Sequence, residues 1–156
     1  MSRRIPDGYH SLTPYLVVSD AAAAIAYYSE VFGAIERLRL AEPGGKVGHA
    51  ELQIGDSVLM LADEYPDMGV HGPAKIGGTP VSLMFYVGDV DATLAAAVAK
   101  GATVLRPAAD QFHGDRSATL LDPFGHRWML ATHQVDLSNA ELQQRWQQMI
   151  GGSGES

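Results

Sequence analysis

Residues 13–34 read TPYLVVSDAAAAIAYYSEVFGA, and residues 82–102 read SLMFYVGDVDATLAAAVAKGA. Shifted by 69 positions, Val18 meets Val87, Asp20 meets Asp89, Ala23 meets Ala92 and Ala26 meets Ala95. One residue drops out, so that Gly33-Ala34 meets Gly101-Ala102. The shift of 69 returns where Met60-Leu61-Ala62 meets Met129-Leu130-Ala131. Self-similarity at a fixed spacing marks one supersecondary unit used twice.

Each copy has the same local grammar. A strand opens it, at residues 12–18 or 81–87. Asp20 or Asp89 then supplies the short carboxylate that caps a helix start. The first helix runs to about Phe32, with Ile25, Tyr28 and Phe32 as its apolar stripe and Gly33 as its left-handed stop. The second runs to Lys100, with Val90, Leu94 and Val98 as its stripe and Gly101 as its stop. Three strands follow each helix. They are residues 35–41, 47–54 and 57–62 in the first copy, and 103–106, 117–121 and 127–132 in the second. Glu42-Pro43-Gly44-Gly45, Gly55-Asp56 and Asp122-Pro123-Phe124-Gly125 are the turns.

The expected architecture is therefore α+β. Two tandem βαβββ modules, about 11–62 and 81–133, form curved mixed sheets around a trough within a single domain of residues 1–137. Residues 63–80, rich in Pro and Gly, link them. This segment is either a cover for a site or a plain connector. Ser138-Asn139-Ala140-Glu141 reads as a capping box for a helix over 138–150, with Leu142, Trp146 and Met149 or Ile150 on one face. That helix docks on the domain or on a partner subunit. Residues 151–156 read as a disordered tail.

Strand side chains alternate between faces, so parity sorts them. Leu16, Val18, Ala50, Leu52, Ile54, Leu59 and Leu61 belong with the first helix. Thr13, Tyr15, Val17, His49, Glu51, Gln53, Val58, Met60 and Ala62 take the opposite, concave face. In the second copy Leu83, Phe85, Val87, Trp128 and Leu130 go to the helix, and Ser82, Met84, Tyr86, Arg127 and Met129 to the trough. Tyr15, Met60, Met84, Tyr86 and Met129 would thus line it. Aromatic and thioether side chains suit an adaptable apolar ligand site, unless the face is packed shut or covered by a second subunit.

Composition narrows the chemistry. The 156 residues include no cysteine, which excludes disulfides, thiolate metal sites and a thiol nucleophile. The formal charge of -7 argues against a nucleic-acid partner and favours cationic or neutral ligands. No run approaches the roughly 18 apolar residues of a membrane span, and MSRRIPDGYH lacks the apolar core of a secretory signal. A cytoplasmic protein without nucleic-acid or membrane partners is expected. No nucleophile elbow, P-loop or dinucleotide fingerprint is present, and Gly44-Gly45 and Gly77-Gly78 are turn glycines.

Together, TPYLVVSDAAAAIAYYSEVFGA, GGKVGHAELQIGDSVLMLADE, VSLMFYVGDVDATLAAAVAKGATVLRP and GDRSATLLDPFGHRWMLATH resemble the vicinal-oxygen-chelate, or glyoxalase/bleomycin-resistance/dioxygenase, superfamily over about residues 11–135. Within it they are most similar to the PhnB-like group. The resemblance implies paired βαβββ modules, a homodimer, and a trough that holds a metal or a drug. Metal-dependent members place His, Gln or Glu in the first and fourth strands of each module. Those positions here are Thr13, Met60, Ser82 and Met129. Two hydroxyls and two thioethers do not make a site for zinc, nickel or iron.

The reading that follows is a metal-free protein, needing no cofactor, that sequesters a planar or cationic small molecule in a dimer trough. Its ligand-binding candidates are Thr13, Tyr15, His49, Glu51, Met60, Ser82, Met84, Tyr86, Arg116 and Met129. The alternative is a lyase or isomerase built around His49 and Glu51. These share a strand face, with His10, His113 or Asp115 as a possible third donor to a metal, or with His49 alone as base. A protein acting through dimerisation alone is the third reading. Arg116, beside Asp115, either meets ligand at the trough edge or forms a surface ion pair. His126 and Asp122 read as parts of the turn they flank.

Overall fold

The computed structural model describes residues 3–152 of the chain. They form two four-stranded mixed sheets with covering helices, an α+β fold with no closed barrel. The chain divides into two compact units. One holds residues 3–80 and Pro123–His126; the other holds Val81–Asp122 and residues 127–152.

The first unit contains β1 (Tyr15–Val18), α1 (Ala21–Phe32), β2 (Ile35–Ala41), β3 (Val47–Ile54) and β4 (Ser57–Asp63). Its sheet order is β1-β4-β3-β2. β1 runs parallel to β4, with Tyr15 opposite Met60 and Val18 opposite Asp63, and the other pairs are antiparallel. β1 begins at Tyr15 rather than at residue 12, because Pro14 lacks the N–H that a ladder needs. The Pro14 carbonyl still accepts the Met60 N–H at 3.0 Å.

α1 starts and stops as its sequence dictates. The Asp20 carboxylate accepts the Ala23 N–H at 3.0 Å, and Gly33 turns left-handed at φ 70°. Ile25, Tyr28 and Phe32 are buried, with Tyr28 and Phe32 stacked at 5.9 Å. They pack over Leu16, Val18, Ala50, Leu52, Ile54, Leu59 and Leu61, all buried, as strand parity requires. Each of the Leu, Ile and Val side chains among them contributes roughly 1.5–3 kcal/mol of burial. On the opposite face Val47, Val58 and Ala62 are also buried, while Tyr15 stays half exposed.

Asp63 ends β4 and is buried. One of its oxygens accepts the Ala21 N–H at 2.8 Å and the other the Val47 N–H at 2.7 Å. A single carboxylate thereby ties the first turn of α1 to the start of β3.

The segment after Asp63 carries regular structure of its own. It forms a 3-10 turn (Pro66–Met68) and the short helix α2 (Pro73–Ile76), with Tyr65 and Val70 bridged. Pro123–His126 lies in this unit. His126 Nε2 meets the Val17 carbonyl at 2.8 Å, and Phe124 sits edge-on to Tyr27 and Tyr28. Gly125, at φ 89°, is required twice over: a Cβ there would lie 2.8 Å from Pro73 Cβ. So His126 is structural, as expected, but it serves a carbonyl of β1.

The second unit repeats the topology as β5-β8-β7-β6. It contains β5 (Ser82–Tyr86), α3 (Val90–Ala99), β6 (Thr103–Asp110), β7 (Asp115–Leu121), β8 (Arg127–His133) and α4 (Asn139–Gly152). β6 runs four residues beyond the expected 106, through Pro107. Register shifts between Val104 and Arg106, and again between Arg106 and Ala109, let this edge strand absorb the missing N–H.

The expected stripe of α3 needs correction. Val90 and Ala97 are buried and Leu94 is half-buried, but Val98 is 44% exposed. Eight residues at 100° each leave Val98 about 80° round the helix from Val90, whereas Ala97 returns to within about 20°. Asp122 accepts the Trp128 indole N–H at 2.9 Å, so it anchors that buried ring.

Ser138 caps α4 as its sequence implies: its Oγ accepts the Glu141 N–H at 3.1 Å and donates to the Glu141 carboxylate at 3.0 Å. The helix takes in Gly151 and Gly152 from the expected tail; residues 153–156 lie outside the described residues. Trp146 rests on Phe112 at 5.5 Å, and Arg145 donates to the Phe112 carbonyl at 3.2 Å. No helix among the described residues is long and apolar enough to cross a membrane.

Asp63→Ala orphans two buried N–H groups, each bonded to a charged acceptor. It should remove about 3 kcal/mol of unfolding free energy, read as a lower urea midpoint at unchanged slope. A change under about 0.5 kcal/mol would mean that the carboxylate is incidental to the fold.

Candidate functional site

Strand register builds the site. Met60 on β4 lies opposite both Tyr15 on β1 and Glu51 on β3, and Glu51 lies opposite Leu38 on β2. Tyr15, Met60, Glu51 and Leu38 thus form one row across the face turned away from α1. His49, two residues from Glu51, shares that face.

A hydrogen-bonded chain runs over this row. The Tyr15 hydroxyl meets His49 Nδ1 at 2.9 Å. His49 Nε2 meets Glu51 Oε2 at 2.6 Å, and the Tyr9 hydroxyl donates to Glu51 Oε1. Glu51 is only 9% exposed, whereas Tyr15 is 49% exposed, so the chain leads from a buried carboxylate to an accessible phenol. Burial pushes the Tyr15 hydroxyl above the ordinary phenol range, which keeps it protonated at rest. The Tyr15 and His49 rings lie 5.4 Å apart.

Tyr9 is the member that sequence reasoning missed. It precedes the first strand in a segment without periodicity, so no pattern points to it. Thr13, a candidate, lies just before β1, and its hydroxyl donates to the His10 carbonyl at 3.3 Å.

The second sheet repeats the row with other chemistry. Met129 lies opposite Met84 and Thr119, and Thr119 lies opposite Arg106. Met84 and Tyr86 are exposed, at 44% and 61%, and Ser82 lies opposite Arg127. Arg116 takes the ion-pair alternative. Parity sets it with buried Ala118 and Leu120, on the helix side, where it pairs with Asp91 of α3 at 2.8 Å and with Asp110 at 3.3 Å. Its guanidinium holds the Asp91 carboxyl below the ordinary range.

The vicinal-oxygen-chelate signature is thus present in topology and in sequence. The family model for the glyoxalase/bleomycin resistance protein/dioxygenase superfamily matches residues 9–130. The chain belongs to this superfamily. An uncharacterized protein of Mycobacterium bovis is 42% identical over 136 residues, covering 85% of this chain and 90% of the relative. The crystal structure of TioX from Micromonospora sp. ML1 is similar at 27% identity and a TM-score of 0.63, covering 80% of this chain and 98% of that one. A glyoxalase-related enzyme from Fulvimarina pelagi gives 25% identity and a TM-score of 0.63, over 80% of this chain and 88% of that one.

The metal that some superfamily members carry does not fit these residues. Met60 and Met129 are the centres of the two rows, and their thioethers are poor partners for hard or borderline cations. The carboxylate beside Met60 already has both oxygens engaged, by His49 and Tyr9. His113 and Asp115, considered above as further donors, belong to the second unit. There buried Asp115 meets His133 Nδ1 at 2.6 Å and His113 Nδ1 at 3.7 Å. Among the described residues no three His, Asp or Glu converge to hold a metal ion.

His133 also reaches Asp136 through Nε2 at 2.6 Å. The bonds to Asp136 and Asp115 raise its pKa above 6.5. A raised folded-state pKa stabilises fully below the unfolded value and fades as pH climbs through the folded one. His133→Gln should therefore lower Tm more at pH 5.5 than at pH 9, as paired melts would show. A gap that widens with pH would refute the ion pair.

Proposed function

We propose that this protein is a metal-free binding protein that sequesters a planar or cationic small molecule, and that the binding unit is a homodimer. One observation carries the reading. Side chains at and beside the rows where metal-dependent superfamily members hold their ligands are aromatic or thioether here: Tyr15, Met60, Met84, Tyr86 and Met129. Three of them stand well exposed, at 49%, 44% and 61%. An exposed aromatic or thioether side chain on a sheet face offers a contact surface to an apolar partner. Aromatic faces and polarizable sulfur suit a flat ring system, and a cation over an aromatic face gains further. Glu51 and the chain's net charge of -7 favour a positive ligand.

A dimer is supported by α4, where Trp146, Met149 and Ile150 recur at helical spacing and are 44–50% exposed. The lack of cysteine agrees with a reducing compartment, and we place the protein in the cytoplasm. By capture alone it would confer resistance to a toxic compound.

A thermal-shift series on chelator-treated protein tests this, with Zn, Ni, Mn, Fe and Co on one arm and planar cationic aromatics on the other. A planar compound should raise Tm, and no metal should. Tyr15→Ala and Tyr86→Ala should each weaken binding roughly threefold to tenfold, as loss of a ring contact implies. Stabilisation by a metal that disappears in His49→Ala would overturn the reading.

A further inference from the structure

Arg127 opens β8, opposite Ser82 of β5 and Leu121 of β7. Its neighbour Trp128 is buried, so parity turns Arg127 to the face away from α3. Arg127 Nε is shut off from solvent and has no hydrogen-bond partner among the described residues. A buried donor left unpaired carries its full desolvation cost, and a charged one carries more. The face around it has the sign of an anion site. Three rows cross it, through Arg127, Met129 and Ala131. Their residues in register include two cations, Arg127 and Arg106, and no carboxylate. Asp115, one row further on, is already bonded to His133 at 2.6 Å. In a chain of net charge -7, this local sign is the reverse of the whole.

We propose that Arg127 binds the carboxylate of a planar acid, with Ser82 beside it and the Met84–Met129 pair as the seat for the ring. The proposal rests on the reading that this face receives a planar molecule, and adds the chemical class of that molecule. A guanidinium is a planar fork whose parallel N–H groups match the two oxygens of a carboxylate. Nε is one tine of that fork. A carboxylate meeting it side-on accepts from the orphaned N–H and from a terminal N–H together. Ser82 stands opposite Arg127 with a hydroxyl able to donate to the same group. Met84 and Met129 lie opposite each other one row away, about 6.6 Å along the strands. An aromatic acid spans that step, with its ring over the thioethers and its carboxylate at the guanidinium. Arg106 stands exposed on the edge strand and adds to the positive field.

Naphthoate and its neutral amide, naphthamide, share one ring system and differ by the charge. The chain as a whole repels an anion, so a preference for the acid has to come from a local cation. Titration calorimetry on the full chain should give the acid at least about tenfold the affinity of the amide. In Arg127→Gln that advantage should disappear, with the affinity for the amide kept. In the unaltered protein the Arg127 Nε–H resonance should move with the acid and stay in place with the amide, a readout that survives if the variant fails to fold. Equal affinities for acid and amide, a preference that persists in Arg127→Gln, or a resonance unmoved by saturating acid overturns the carboxylate site. The two readings fail separately. Binding of the amide, or of naphthylmethylammonium, with no advantage for the acid sinks the carboxylate site and leaves capture standing. Sodium acetate that moves the Arg127 resonance while no naphthyl compound binds sinks capture and leaves the carboxylate site standing.

Discussion

The parallel pairing of β1 with β4 is the constraint on which the remaining architecture depends. A parallel pair cannot be closed by a hairpin, so the chain must travel away and return. It does so through α1, β2 and β3, and the helix covers one face of the sheet on the way. That covered face becomes the core, and the other carries the row of Tyr15, Met60 and Glu51. The same pairing brings Tyr15 beside Met60, although they are far apart in sequence. The antiparallel β3–β4 pair then adds Glu51 on the far side of Met60. A slip of one residue in either ladder would bury Tyr15 and Glu51 among Leu52 and Leu61 and destroy both core and site.

Glu51 shows which forces compete at that site. A carboxylate at 9% exposure loses most of its hydration, a cost of several kcal/mol if nothing replaces it. Two hydrogen bonds to a charged acceptor return about 1.5–3 kcal/mol each, so the arrangement roughly breaks even. The fold therefore gains little stability from the Tyr9–Glu51–His49–Tyr15 chain. Stability lies in the α1-to-sheet contacts, and the polar chain is affordable because they are good. The same reasoning separates Asp63 from Glu51. Asp63 is equally buried, but it holds backbone N–H groups at a helix start and a strand start, where those donors would otherwise be unpaired.

Much of this was legible in the sequence because it rests on local rules. Asp20 and Asp89 cap helices, Gly33 and Gly101 stop them, and parity sorts Leu16, Leu52 and Leu61 from Tyr15, His49 and Glu51. What was not legible depends on distant contact. Tyr9 reaches Glu51 from a segment with no periodic signal. Asp63 serves two N–H groups that nothing in its neighbourhood predicts. His126 reaches the Val17 carbonyl of β1 and Asp122 the indole of Trp128, contacts that their own turn does not announce. Val98 differs for another reason: a stripe spaced every four residues drifts round the helix, and by Val98 it has left the buried face. Arg116 stands on the helix side of β7, and its partner Asp91 comes from α3, a contact that strand parity by itself does not name.

The two rows also show how the copies of a duplicated module have diverged. Met60 and Met129 keep the same central place in both sheets, so a soft apolar centre is common to the repeat. The flanks differ. One row has Tyr15 and Glu51 where the other has Met84 and Thr119. An exchange from Tyr and Glu to Met and Thr removes both ionisable groups from the equivalent positions. The order of the strands is the same in each. The two copies thus differ in character at the flanks of the row and not at its centre, where a thioether, a poor partner for a hard cation, stands in both.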